Sequence, residues 1–216
     1  MGNELAARGY VVLAVDALGW GDRGGLDYAG QQALASNMFH LGSSLAGLLA
    51  FEDTRAAGLL AALPVVDRHR IAAVGFSMGS YRAWQVAALS DHIAATVAVC
   101  WMTGLKEMMV AGNNTLRGGS AFHMVHPGLS RFLDIPDVAS IAAPRPMLVF
   151  NGALDTLFTG AGVDVAYAKM RAVWASQRAG DRLVTKLRPG LGHVFDPAMQ
   201  DEAFAWLDRR LLPGRW

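Results

Sequence analysis

Nearly uninterrupted apolar runs recur along the chain at Tyr10–Val15, Ile71–Phe76, Ile93–Val99, Met147–Phe150 and Leu183–Leu187. Short runs of this kind, rich in β-branched residues and without alternation, predict strands buried on both faces. Longer stretches with helical spacing separate them: Leu45–Leu63, stopped by Pro64; Met78–Leu89; Gly162–Gln177; and Ala198–Leu212, introduced by Asp196 as N-cap with Pro197 at the first helical position. A short helix is expected over Asn3–Arg8. The alternation predicts an α/β fold, a mostly parallel sheet with helices on both faces, in one domain spanning residues 1–216.

One segment breaks the rhythm. From Trp101 to Arg145 the chain mixes Gly, Asn, Pro and His with isolated aromatics and sustains no period. Loops of that length in a globular domain are usually functional. This one follows the C-terminal end of a predicted strand, where open α/β sheets bind ligands, so residues 101–145 are expected to cover a pocket.

The run Ile71-Ala-Ala-Val-Gly75-Phe-Ser77-Met-Gly79 sets a G-x-S-x-G sequence directly between a strand and a helix. That setting is a nucleophile elbow, in which the turn lifts the serine Oγ from the top of the sheet. So tight a turn is expected to exclude bulk at both Gly75 and Gly79. The Met78 N–H, at the helix start, is placed to donate to a developing oxyanion. A serine needs a base, and the base needs an orienting acid. Asp155 ends a strand-and-turn run from Pro146, and His193 ends a Gly-rich loop after the last strand, so the order is Ser77, Asp155, His193.

Gly75-Phe-Ser-Met-Gly79, Asn151-Gly-Ala-Leu-Asp155 and Leu191-Gly-His193 resemble the three catalytic motifs of the α/β-hydrolase superfamily. Within it, Ala14-Val-Asp-Ala-Leu-Gly-Trp-Gly-Asp-Arg23, Ser44-Leu-Ala-Gly47, Ala98-Val-Cys-Trp-Met-Thr103 and Asp134–Pro146 are similar to the acetyl xylan esterase-like and dienelactone hydrolase-like group. The likeness departs from dienelactone hydrolases proper, whose nucleophile is cysteine: here the elbow carries Ser77, and Cys100 ends a different strand. The resemblance implies a serine carboxylic-ester hydrolase acting on small, acetyl-type esters through an acyl-enzyme on Ser77. It also implies that Tyr10–Val15 corresponds to the fourth strand of the family sheet. Three strands, and the loop giving the second oxyanion donor, would then precede the Asn3–Arg8 helix, so the chain reads as N-terminally truncated. Either Tyr10–Val15 pairs directly with Ile71–Phe76, or a cleft with unpaired backbone opens between them. A catalytically weak or inert hydrolase-fold fragment, serving as an interaction module, is the alternative. A peptidase is disfavoured because nothing outside the catalytic domain screens peptides.

Composition narrows the partners. Lys and Arg number 19 against 18 Asp and Glu, for a net charge of +1, which gives no field to attract nucleic acid or anionic lipid. The apolar segments are too short and interrupted to span a bilayer, and no signal peptide is visible, so a cytoplasmic location is expected. With one cysteine, no intrachain disulfide forms. His123 and His126 have the spacing of two ligands on one helical turn, but nothing nearby completes a zinc site; no metal and no cofactor are expected, the histidines are given pocket-lining or surface roles and Met102 a place in the core or the pocket wall, and Trp101, Met102, His123 and His126 are the substrate-binding candidates. Asn113-Asn-Thr115 fits a glycosylation acceptor and is discounted without a signal peptide. Asp22 and Arg23 belong to the pocket rim or to a plain surface pair. An edge left by a missing strand is open to pairing with a second copy, so a homodimer, or aggregation, is expected more readily than for a complete sheet.

Overall fold

The computed structural model describes residues 1–110 and 121–212; the Asn113–Thr115 acceptor lies outside them. Four strands, β1 (Ile71–Phe76), β2 (Ile93–Val99), β3 (Met147–Gly152) and β4 (Leu183–Arg188), form a wholly parallel sheet in the order β1-β2-β3-β4. The connections carry helices α4 (Met78–Leu89), α5 (Leu105–Met108), α6 (Ile135–Ser140) and α7 (Gly160–Ser176), and α8 (Pro197–Leu211) closes the chain. Before the sheet come α1 (Gly2–Ala7), α2 (Tyr28–His40) and α3 (Leu45–Ala62).

Side chains of the central strands alternate between two cores, as the period of two requires. On β3, Met147 and Val149 pack with Tyr81 and Trp84 of α4 and with Met170 and Trp174 of α7. Leu148 and Phe150 point the other way, toward Phe204 and Leu207 of α8. All four strand residues are fully buried, which is why the sequence there shows no polar alternation. Helix starts are fixed by side-chain caps: Ser44 Oγ accepts from the Gly47 N–H at 2.9 Å, Thr159 Oγ1 from Gly162 at 3.2 Å, and Asp196 Oδ1 from Met199 at 2.8 Å.

The first apolar run departs from expectation. Tyr10–Val15 is not a strand: it is irregular chain outside the sheet, leaving Val11, Val12 and Leu13 between 41% and 47% exposed. A groove of about 480 Å³ separates it from β1, with Tyr10–Val15 on one wall and Ile71–Val74 on the other. Of the two arrangements expected, the cleft is the one observed. The segment is held at its ends, where the Tyr10 hydroxyl donates to Asp208 at 2.9 Å and Arg82 Nη1 donates to the Val15 carbonyl at 3.2 Å. Helix α2 is an element the apolar pattern does not announce; only Gln31 and Ala35 of its residues are buried. The described part of residues 101–145 is also less irregular than expected, since it contains α5, α6 and the 3-10 turns Phe122–Met124 and Leu129–Arg131. No single helix among the described residues is long and apolar enough to cross a membrane; α2 and α3 satisfy length and composition only as a pair, bent by 94°.

Candidate active site

Ser77 sits between β1 and α4 with φ 55° and ψ −122°, a conformation unfavourable for any residue but glycine. Its N–H is tied to the Val99 carbonyl of β2 at 2.9 Å, which holds the turn in place. The two elbow glycines differ in what they permit. A Cβ at Gly75 would lie 1.9 Å from the Gly79 carbonyl oxygen and 2.6 Å from the Ser80 nitrogen, whereas one at Gly79 would meet nothing within 4 Å. The expected exclusion of bulk therefore applies to Gly75 alone.

Asp155 and His193 reach the serine from loops after β3 and β4. Those loops are stitched by backbone bonds from Ala153 to the Arg188 carbonyl at 2.9 Å and from Leu154 to the Leu191 carbonyl at 2.8 Å. Gly152 is needed there, because a Cβ would fall 2.1 Å from the Gly192 carbonyl oxygen. His193 Nε2 lies 2.8 Å from Ser77 Oγ, and His193 Nδ1 lies 2.7 Å from Asp155 Oδ2. The Asp155 side chain is fully buried and its other oxygen accepts from the Leu157 N–H at 2.9 Å. A carboxylate so placed fixes the tautomer with the proton on Nδ1, leaving Nε2 free to accept from the serine hydroxyl. Phe76 and Phe158 flank the imidazole, with ring centroids at 5.0 and 6.2 Å. The Met78 N–H opens α4 beside Ser77 and has no hydrogen-bond partner among the described residues.

Ser77 and Met78 border a cavity of about 860 Å³. Its wall is aromatic and apolar, with Trp20, Tyr28, Tyr81, Trp84, Trp101 and Phe158 among its residues, and no Lys or Arg of the described residues contributes to it. Three of the four substrate-binding candidates from sequence are in this wall: Trp101, His123 and His126. Met102 is not; it is fully buried in the core under α4 and α7. The His123 ring stands edge-on to Trp20 at 5.1 Å, and His126 Nε2 is 2.5 Å from Gln85 Oε1. Burial lowers the proton affinity of both rings, so both are neutral at pH 7. The segment 101–145 supplies most of the wall opposite α4, from Leu105 to Val138.

Trp20, Tyr28 and Gln31 also line the cavity and were not singled out from sequence. The last two belong to α2, so recognising that helix was the missing signal. Arg23, assigned to the rim or to a surface pair, makes a bidentate ion pair with Glu52 at 2.7 and 2.8 Å. Cys100, at the end of β2 with φ 57°, is buried behind the acid and base, and its thiol donates to the Val194 carbonyl at 3.4 Å. Burial, reinforced by the Asp155 charge, pushes that thiol up to about 11.

A parallel sheet with a strained serine at a strand-to-helix turn and an acid and a histidine on the next loops defines the α/β-hydrolase class. The Abhydrolase family model matches residues 1–172, and the chain belongs to that family. It is 31% identical over 209 residues to "Putative hydrolase YtaP" of Bacillus subtilis (strain 168), an alignment covering 97% of this chain and 68% of that protein. Among solved structures, a putative acetyl xylan esterase from Bacteroides fragilis superposes with a TM-score of 0.72 at 20% identity, over 86% of this chain and 48% of that one. A family 15 glucuronoyl esterase from Caldicellulosiruptor kristjansonii gives 0.59 at 19% identity, over 74% of this chain and 48% of its own. The chain thus spans about half the length of these solved structures.

Proposed function

We propose that the protein is a serine carboxylic-ester hydrolase acting on small, neutral, acetyl-type esters. The observation that carries this reading is the series Ser77 Oγ, His193 Nε2, His193 Nδ1 and Asp155 Oδ2, with steps of 2.8 and 2.7 Å on either side of the imidazole, at the edge of an apolar cavity. In the first half-reaction Ser77 Oγ attacks the ester carbonyl carbon while its proton passes to His193 Nε2. The buried Asp155 carboxylate stabilises the resulting imidazolium. The Met78 N–H donates to the oxyanion. Collapse of the tetrahedral intermediate breaks the bond to the alcohol, which leaves with the proton from Nε2. Water then repeats the sequence on the acyl-enzyme: Nε2 takes its proton, acid is released and Ser77 is restored.

The substrate class rests on the wall. With no described cation facing the cavity, an anionic ester has no counter-charge there, and the aromatic surfaces suit a neutral body. The acetyl xylan esterase among the structural neighbours supports the acetyl assignment, while the glucuronoyl esterases keep a larger acyl group in view.

The test is labelling with a fluorophosphonate probe alongside hydrolysis of p-nitrophenyl acetate. Ser77→Ala should lose both, since one oxygen serves both reactions, and His193→Ala should lose nearly as much because the group acts as a unit. Undiminished turnover in Ser77→Ala would place the chemistry elsewhere.

A further inference from the structure

The cysteine at the end of β2 has no part in the hydrolytic scheme, yet it is packed against it. Cys100 Sγ, a carboxylate oxygen of Asp155 and a ring nitrogen of His193 all lie within 4.8 Å of one another. They come from the C-terminal ends of three neighbouring strands, so the sheet itself brings them together. Zinc-type ions bind thiolate, imidazole and carboxylate at about 2.0 to 2.3 Å, which places tetrahedral ligand atoms about 3.3 to 3.7 Å apart. The cluster needs movements of about 1 Å to meet that spacing, within reach of side-chain rotation.

We propose that Cys100 Sγ, His193 Nδ1 and an Asp155 carboxylate oxygen form an inhibitory site for a soft divalent cation of the zinc or cadmium type. One thiolate and one imidazole select such an ion over magnesium or calcium, which prefer oxygen ligands. The ion enters over the imidazole, whose side chain is 25% exposed while the carboxylate beneath it is sealed. It takes the place of the Nδ1–H donation to Asp155.

Proton accounting explains the inhibition. The thiol loses its proton to solvent, and Nδ1, now bonded to the metal, gives up its hydrogen while Nε2 gains one. The imidazole stays neutral with its tautomer reversed, and one proton is released per ion bound. Nε2 then carries hydrogen and cannot accept the Ser77 proton, so the nucleophile has lost its base. Water fills the fourth position. The inhibitory half of the proposal rests on the esterase reading; the binding half does not.

The experiment adds Cd²⁺ to the whole chain and follows the ultraviolet thiolate-to-cadmium charge-transfer band together with p-nitrophenyl acetate turnover. Because the chain has a single cysteine, any such band arises from Cys100. Expected are one equivalent bound, turnover lost in parallel with the band, no band in Cys100→Ser or Cys100→Ala, and at least tenfold weaker binding in His193→Ala. Ser77→Ala should keep the band, and the Cys100 variants should turn over ester without sensitivity to Cd²⁺. No band in the native chain, or an undiminished one in His193→Ala, overturns the site. A band without loss of turnover overturns the inhibition. A chain that binds Cd²⁺ through these residues but hydrolyses no ester leaves the site standing and removes the esterase reading instead.

Discussion

Adding one methyl group to the elbow separates two glycines that look equivalent in sequence. In Gly75→Ala the new Cβ falls 1.9 Å from the carbonyl oxygen and 2.1 Å from the carbonyl carbon of Gly79, both backbone atoms of α4. No rotamer change relieves that overlap. To reach a tolerable contact of about 3.2 Å, β1 and the first turn of α4 must part by more than 1 Å. Such overpacking costs about 3 kcal/mol, a thermal midpoint lower by about 6 to 12 °C for a chain of this size. The displacement also falls on the turn carrying Ser77 Oγ, now 2.8 Å from His193 Nε2, and a misplacement of about 1 Å costs on the order of a hundredfold in rate. Gly79→Ala has open space and a helical position, so the same methyl should be neutral or stabilise by up to about 1 kcal/mol. The assay is kcat on p-nitrophenyl acetate with a calorimetric midpoint for both variants. Equal damage from the two, or none from Gly75→Ala, would refute the steric argument.

Arg82 grips Asp53 of α3 at 2.6 and 2.9 Å while reaching the Val15 carbonyl, with both side chains mostly buried. Arg82→Met should cost about 3 kcal/mol in urea unfolding by stranding the carboxylate, and Asp53→Asn in the same chain should recover part of it; a double variant as unstable as the sum of the two single ones would show that the pair is not coupled. Cys100 predicts an alkaline effect. Its thiol ionises at about pH 8.5 when unfolded but is held to about 11 in the fold, so the unfolded chain releases its proton first. The associated stability is complete below about pH 8.5 and lost as pH rises toward 11. The stability difference between the native chain and Cys100→Ala should shrink by about 1 to 2 kcal/mol across that window; a constant difference would contradict the raised pKa.

The central strands β2 and β3 were legible because they are enclosed on both faces, and burial writes itself directly into composition; β1 and β4, half-buried at the sheet edges, still carry short apolar runs. Tyr10–Val15 carries the same composition without being a strand, since pairing depends on what lies beside a segment and composition does not record that. Helix α2 escaped notice for the opposite reason: with only Gln31 and Ala35 buried, it shows almost no apolar face. Ser77, Asp155 and His193 were readable because each sits at a strand end, where local sequence and fold position coincide. The cavity wall was only partly readable. Trp20, Tyr28 and Phe158 converge from three separate segments, and Met102, next to a wall residue, points into the core instead.

The groove beside β1 sets a rhythm in time as well as in space. The Ser77 N–H is bonded across to β2, so by the two-residue alternation of a strand the amides of Ala73 and Gly75 face β2 as well, while those of Ala72, Val74 and Phe76 face the groove. Deuterium should therefore enter β1 on a two-residue beat, rapidly at 72, 74 and 76 and slowly at 73 and 75, within a strand whose neighbour β2 resists exchange along its length. One strand of the sheet then reports through alternate amides on two environments: the ladder on one side and water on the other.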